Sequence, residues 1–433
     1  MKKIYILLVI LGFVGTVRAQ VPSPAPTQSK AIALKGGTIH VGNGTVIENG
    51  LVAFDQGKLT YVGPQSQSSL NLSSYEVTDV SGQHIYPGLI LLNSPLGLVE
   101  IGAVSASVDD EETGDFNPNV RAIVAYNTDS DIIPTIRSNG ILLAQVTPGG
   151  GMVAGSSSVV QLDAWNWEDA VYKTDEGIHM KWPARFQSPR WWLGETESTE
   201  NKDYFKIVDQ LEKALADGKA YAQTNTPPQK NMMLEAMRGL YDGSKTMYYH
   251  ANESKAIVEG IQTLMRNSVK KIVLVGGNDA YYVRDFLKAN NIPVVISNVH
   301  RLPSRTEEDV DMPFKLANLL QKEGLTVCLS HSGAAYSRNL PFYAGTAAAY
   351  GLGKEEALKL ITSNPAKILG IDAQAGTLEK GKDAILVVSK GDILDMLTNE
   401  ITHAFIQGRK IDLNNKHKEL YEKFKAKYEG DSK

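Results

Sequence analysis

Met247-Tyr248-Tyr249-His250 and Ile272-Val273-Leu274-Val275 flank a stretch, Glu253 to Met265, in which Ile257, Ile261 and Leu264 recur at helical spacing. Two unbroken apolar runs of strand length with one amphipathic helix between them read as a strand–helix–strand unit. Strands without polar alternation are expected to be buried on both faces, which in a βαβ context means a parallel sheet. The same rhythm continues in both directions. Strands are expected at Leu89–Leu92, Ile141–Val146, Val294–Ile296 and Thr326–Ser330, and helices at Ala280–Ala289, Pro313–Glu323 and Glu355–Ile361. Residues 89–375 leave room for a complete (β/α)8 TIM-like barrel of about 250 residues plus insertions. An open doubly wound sheet is the alternative.

The flanks differ. Between residues 31 and 88, short alternating stretches such as Leu51-Val52-Ala53-Phe54 and Leu59-Thr60-Tyr61-Val62 are punctuated by Asn43-Gly44 and Asn49-Gly50, which read as turns. The pattern resumes in 376–413, with Ala384–Ser389 and Thr402–Ile406. The expected architecture is therefore α/β: a barrel at 89–375 and a small β-sandwich domain built from both chain ends, 31–88 and 376–413. Lys416 to Tyr428 aligns Leu420, Phe424 and Tyr428 on one helical stripe, so 414–433 is expected to pack a C-terminal helix on the body.

Residues 1–19 read as a signal peptide: Lys2 and Lys3, an apolar run Ile4 to Val17, and Val17-Arg18-Ala19 before Gln20. Its fourteen mostly apolar residues fall short of the roughly 20 that span a bilayer. A Pro/Ser/Gln-rich linker occupies 20–30. Cleavage removes Lys2, Lys3 and Arg18 and takes the net charge from −4 to −7. An acidic chain without a basic stripe is a poor partner for nucleic acid or an anionic membrane. Cys328 is the single cysteine, which excludes an intramolecular disulfide. A periplasmic or secreted protein is expected.

Three segments resemble the amidohydrolase superfamily, in particular its imidazolonepropionase-like branch. They are Leu34-Lys35-Gly36-Gly37-Thr38-Ile39-His40 through Tyr61-Val62-Gly63, Val80 to Ile90 around Tyr86-Pro87-Gly88, and Gly353 through Thr362-Ser363-Asn364-Pro365-Ala366 to Gly376-Thr377-Leu378-Glu379-Lys380-Gly381-Lys382-Asp383-Ala384. The resemblance implies hydrolysis of non-peptide C–N bonds, of the cyclic-amide type, assisted by zinc or another divalent cation that polarises the carbonyl and activates water. It also implies ligands: His-x-His after strand 1, histidines after strands 5 and 6, and an aspartate after strand 8.

Those positions are mostly substituted. The His-x-His pair falls on Asn93 and Pro95, the strand-6 position lies within Val275-Gly276-Gly277-Asn278, and the aspartate falls at Ser332. Only His250 matches. One histidine does not supply the roughly three protein ligands of a catalytic zinc, so no metal ligand is assigned. His250 is the candidate catalytic residue, and Asn93, His300, His331 and Ser332 are candidate substrate-binding residues. A Cys328/His331 dyad is disfavoured, because i and i+3 of a strand face opposite ways; Cys328 reads as core.

The acidic runs Asp109–Glu112 and Glu307–Asp309 with Asp311 read as solvated loops, and Gly149–Gly151 as a turn. All five tryptophans lie between Trp165 and Trp192, implying a packed aromatic subdomain or a surface for a partner, such as a second copy or a neighbouring enzyme subunit. Two functions follow. One is a hydrolase with an altered site; the other, favoured by the substitutions, is a pseudoenzyme that binds a small molecule at the barrel mouth or serves in an assembly.

Overall fold

The computed structural model describes residues 23–187, 189–224, 226–227, 229–303 and 305–430. The expected signal peptide lies outside the described residues.

The chain opens with β1 Ile32–His40, β2 Val46–Asp55, β3 Lys58–Pro64, β4 Glu76–Asp79 and β5 His84–Pro87. The tight turn between β2 and β3 is Gln56-Gly57, both at positive φ (47° and 77°), the geometry that two-residue hairpins require. Asn49-Gly50, expected to turn, lies inside β2 instead. There Asn49 sits at φ 49°, and a Cβ on Gly50 would stand 2.2 Å from Ile39 Cδ1. Its glycine serves close packing against β1, next to register shifts in the β1–β2 ladder.

The barrel follows: β6 Leu89–Ser94, α1 Ile132–Arg137, β7 Ile141–Val146, β8 Val153–Gln161 and β9 Val171–Lys181. A long excursion then carries a two-residue ladder, β10 Phe186–Gln187 with β11 Thr199–Glu200, and two helices, α2 Tyr204–Ala222 and α3 Met232–Asp242. Regular alternation resumes with β12 Thr246–Ala251, α4 Ser254–Arg266, β13 Ile272–Gly276, α5 Arg284–Ala289, β14 Val294–Ser297, α6 Met312–Lys322 and β15 Val327–Ser330. The helices α7 Leu340–Ala347, α8 Lys354–Lys359 and α9 Ser363–Leu369 lead back to the sheet through β16 Leu386–Ser389, β17 Ile401–Ile406 and β18 Arg409–Lys410, before α10 Lys416–Gly430.

Strands β6 to β9 and β12 to β15 close into an eight-stranded barrel. It departs from an all-parallel barrel at one place: β8 runs antiparallel to both β7 and β9. The cause is chain length. Only residues 147–152 join β7 to β8, and a parallel crossover needs a dozen or more residues. Elsewhere the expected strand–helix units form, with Ile257, Ile261 and Leu264 of α4 buried. A Cβ on Gly260 would stand 2.0 Å from Tyr249 Oη, so glycine lets α4 rest on β12.

The strands of the two chain ends join in one connected sheet, ordered β18-β17-β16-β5-β1-β2-β3, with β4 also paired to β1. Along that path β2 and β17 are four strands apart, roughly 19 Å in a flat sheet. Yet the Phe54 and Phe405 ring centroids are 4.9 Å apart. The sheet therefore curls over on itself, and Leu34, Phe54, Ile85, Leu386 and Phe405 share one core. Asp163, 4% exposed, ties the two parts together through Arg137 of the barrel (2.6 Å) and Arg409 of β18 (2.8 Å).

Two sequence expectations fail. The α10 stripe does not pack: Leu420, Phe424 and Tyr428 are exposed and no α10 residue is buried. The tryptophans do not build a subdomain either. Trp182 is buried in the main core, Trp167 packs against it, and Trp165 and Trp192 are exposed. No described helix is long and apolar enough to cross a membrane.

Candidate functional site

The C-terminal ends of β6, β9, β12, β13 and β14, with the chain that follows β9 and β15, enclose a cavity of about 750 Å³. In a barrel of this kind the strand ends at that face carry the functional side chains. Three candidates from the sequence line it: Asn93, His250 and Ser332. So do Val275, Gly276 and Asn278, the strand-6 positions where the sequence has no histidine.

Each is held by its local structure. Asn93 is buried at the end of β6 with φ 49°, and its backbone N–H donates to Gln145 Oε1 at 2.9 Å. Gln145 in turn donates to Glu176 at 2.7 Å, which also accepts from Ser157 at 2.5 Å and Tyr248 at 2.8 Å. Glu176 is almost wholly buried. Desolvation raises its pKa, opposed by the bonds from Ser157, Gln145 and Tyr248. This polar hub inside the barrel fixes the backbone at the cavity floor.

His250 is the penultimate residue of β12, and its Nε2 lies 2.9 Å from Nδ1 of His179 on β9. His179 is 2% exposed and stacks on Tyr248 with centroids 4.7 Å apart, and its Nε2 is buried without a hydrogen-bond partner. Burial, then the charge of Lys181, pushes the His250 pKa down to about 3. Burial and His250 likewise hold His179 well below the ordinary histidine range. Both rings are therefore neutral at pH 7, sharing one proton across their contact.

His300 and His331 do not line the cavity. His300 Nε2 pairs with Thr346 Oγ1 at 2.7 Å, and its ring meets Tyr343 edge-on. His331 Nδ1 accepts from the Gly333 N–H at 2.9 Å, and its ring stacks on the other side of that packing. Burial lowers the pKa of both. They pack around Tyr343 of α7. Cys328 is fully buried in β15, and burial drives its thiol pKa well up, as expected of a core residue.

Sequence reading passed over Glu176, His179 and Lys181. Lys181 lines the cavity and donates to the Gly150 carbonyl at 3.2 Å. The polar residues of Val171-Tyr172-Lys173-Thr174-Asp175-Glu176 disguise β9, although Gly177-Ile178-His179-Met180-Lys181 alternates as a strand does. In the Gly149–Gly151 loop the Gly149 N–H donates to the Asp110 carbonyl. The second acidic run is folded by ion pairs: Arg301 to Glu308, Arg305 to Glu307, and Lys315 to Asp309 and Asp311.

Among the described residues, no three His, Cys, Asp or Glu side chains converge as a metal site. A catalytic zinc takes about three protein ligands, and among the described lining residues His250 is the one histidine, its Nε2 already engaged by the buried His179. The donor set does not fit that ion.

Residues 189–411 match the model of the amidohydrolase family. The chain belongs to that family. No curated protein sequence matches it. Among solved structures, it is similar to an amidohydrolase from Thermotoga maritima MSB8, at 24% identity over 88% of this chain and 99% of that one, with a TM-score of 0.76. It also resembles a molinate hydrolase (13% identity, 89% and 95% covered, TM-score 0.52) and a zinc-bound adenosine deaminase from Xanthomonas campestris (12%, 94% and 99%, 0.51). At these identities the likeness establishes the fold that family members share.

Proposed function

We propose that this chain is an exported amidohydrolase-family barrel that has kept the ligand cavity and given up metal-assisted hydrolysis, so that it binds a small molecule. One observation carries the reading: the strand ends that line the cavity present Asn93, Val275, Gly276, Asn278 and Ser332 where metal ligands are expected, and leave His250, whose Nε2 is engaged by the buried His179 behind it. An amide oxygen is a weak zinc donor, and the facing nitrogens of the two histidines are taken by each other. The opening and closing motifs favour the imidazolonepropionase-like branch. Lys2, Lys3, the apolar run and Ala19 support export to the periplasm or medium.

A second reading has a specific observation behind it. His250 is neutral, lines the cavity and is backed by His179, so the ring nitrogen not engaged by His179 can hydrogen-bond and orient a water attacking a cyclic amide. Elemental analysis of residues 20–433, purified without chelator or histidine tag, separates the two. The binding reading expects less than about 0.1 metal ion per chain and no ring opening across a cyclic-amide panel. Stoichiometric zinc, manganese or iron with turnover overturns it. Turnover without metal that is lost in His250→Asn supports the altered hydrolase.

A further inference from the structure

We infer that the ligand of this cavity is a neutral saccharide of more than one ring, an assignment that rests on the binding reading above. The charges decide against an ionic ligand. Lys181 and Lys255 are balanced on the lining by Glu200 and Glu253. The two lining arginines are held by partners that do not line the cavity, Arg185 by Glu259 at 3.3 Å and Arg301 by Glu308 at 2.5 Å. No net charge is left to recruit an anion or a cation.

The hydrogen-bonding groups that remain are uncharged. Among the described residues the side-chain amides of Asn93 and Asn278, both on the cavity lining, have no hydrogen-bond partner within the protein. Amides at a cavity surface that are not committed to the protein are free to bond a ligand in place of water. Amides and hydroxyls both donate and accept, which matches sugar hydroxyls, each of which does the same.

Aromatic faces complete the pattern. Trp182 forms a buried wall, its Nε1 donating to Tyr204 Oη at 3.0 Å. Phe186 and Phe205 line the outer part of the same cavity while remaining 60% and 66% exposed. Their flat apolar surfaces suit the C–H faces of pyranose rings, and their exposure extends the site beyond the floor. The volume of about 750 Å³ lies in the upper part of the usual range for small-molecule sites, larger than one sugar ring needs.

The test is titration of the mature protein, with and without EDTA, followed by tryptophan fluorescence. The probes are glucose-, galactose- and N-acetylglucosamine-based mono- to tetrasaccharides, beside N-acyl amino acids and simple dicarboxylates. Saturable binding of a di- to tetrasaccharide, unchanged by EDTA, is expected. Phe205→Ala and Asn278→Ala should each weaken it about tenfold, while Lys423→Met on the exposed α10 leaves it unchanged. Phe205 is largely exposed, so its truncation does not threaten the fold. Binding confined to the acids, weakened by Lys255→Met, overturns the saccharide and keeps the binding reading. A panel in which no saccharide binds also overturns it. EDTA-sensitive cleavage of an N-acyl amino acid overturns the binding reading itself.

Discussion

Removing the Glu176 carboxylate tests the claim that a buried hub supports the cavity floor. Three donors converge on it, from Ser157, Gln145 and Tyr248. In Glu176→Ala, Ser157 and Gln145 keep each other at 3.2 Å, and Ser157 also has the Gly177 carbonyl at 3.5 Å. Tyr248 Oη loses its direct acceptor and keeps only the weaker contact with Gln145. One donor without its direct acceptor costs about 1–3 kcal/mol, two weakened bonds about 1 kcal/mol each, and the vacated volume adds to this. Relief of the buried charge offsets a part, leaving a destabilisation of about 3–5 kcal/mol. Glu176→Gln keeps the volume and most bonds and should cost about 1–2 kcal/mol at pH 5. The pH dependence has a definite sign. The folded-state pKa is raised, so the fold favours the protonated acid, and this group's contribution falls as pH rises from its ordinary value through the folded one, by at most about 1.4 kcal/mol per unit. Gln cannot ionise, so the gap between variant and parent should narrow from pH 5 to pH 8. Urea unfolding of parent and both variants at the two pH values reads all of this. A cost below about 1 kcal/mol for the alanine variant, or a gap that widens with pH, would refute the hub.

His250 carries the opposite sign. Its folded pKa of about 3 lies below the ordinary value of 6.5, so the stability it contributes is present above pH 6.5 and is lost as pH falls towards 3; its imidazole NMR signals should not titrate between pH 5 and 8. Asp163→Ala strands Arg137 and Arg409 and should cost about 3–5 kcal/mol, seen as a lower urea midpoint; a midpoint unchanged from the parent would remove the proposed tie between barrel and sheet. Deleting 416–433 should leave the melting temperature within about 1 °C, because no α10 residue is buried, and a fall of several degrees would mean that α10 is covered in solution. Cys328, fully buried with a raised pKa, should react with a thiol reagent only after unfolding, and fast labelling of the native protein would contradict its burial.

The sequence alone determined the strand–helix rhythm from β12 to β15 and the joining of both chain ends, because each depends on local periodicity and turn chemistry. The absence of histidine at Asn93 and Pro95 and between His250 and His300 is read directly from the chain, since residue identity needs no fold. The six-residue link that reverses β8 was also written in the chain, but Ser-rich Val153–Gln161 and polar Val171–Glu176 hid the strands on either side of it. Only the tertiary structure decided which histidines meet. His179 and His250 are 71 positions apart in sequence and 2.9 Å apart in space, whereas His300 and His331, equally plausible by position, turn away to pack on Tyr343. Side-chain direction at a strand end is set by barrel closure and by neighbours such as Gln145 and Glu176, which no local pattern encodes. The exposed stripe of α10 makes the same point in reverse, since amphipathic spacing says what a helix can bury and the rest of the fold decides whether anything is there to bury it.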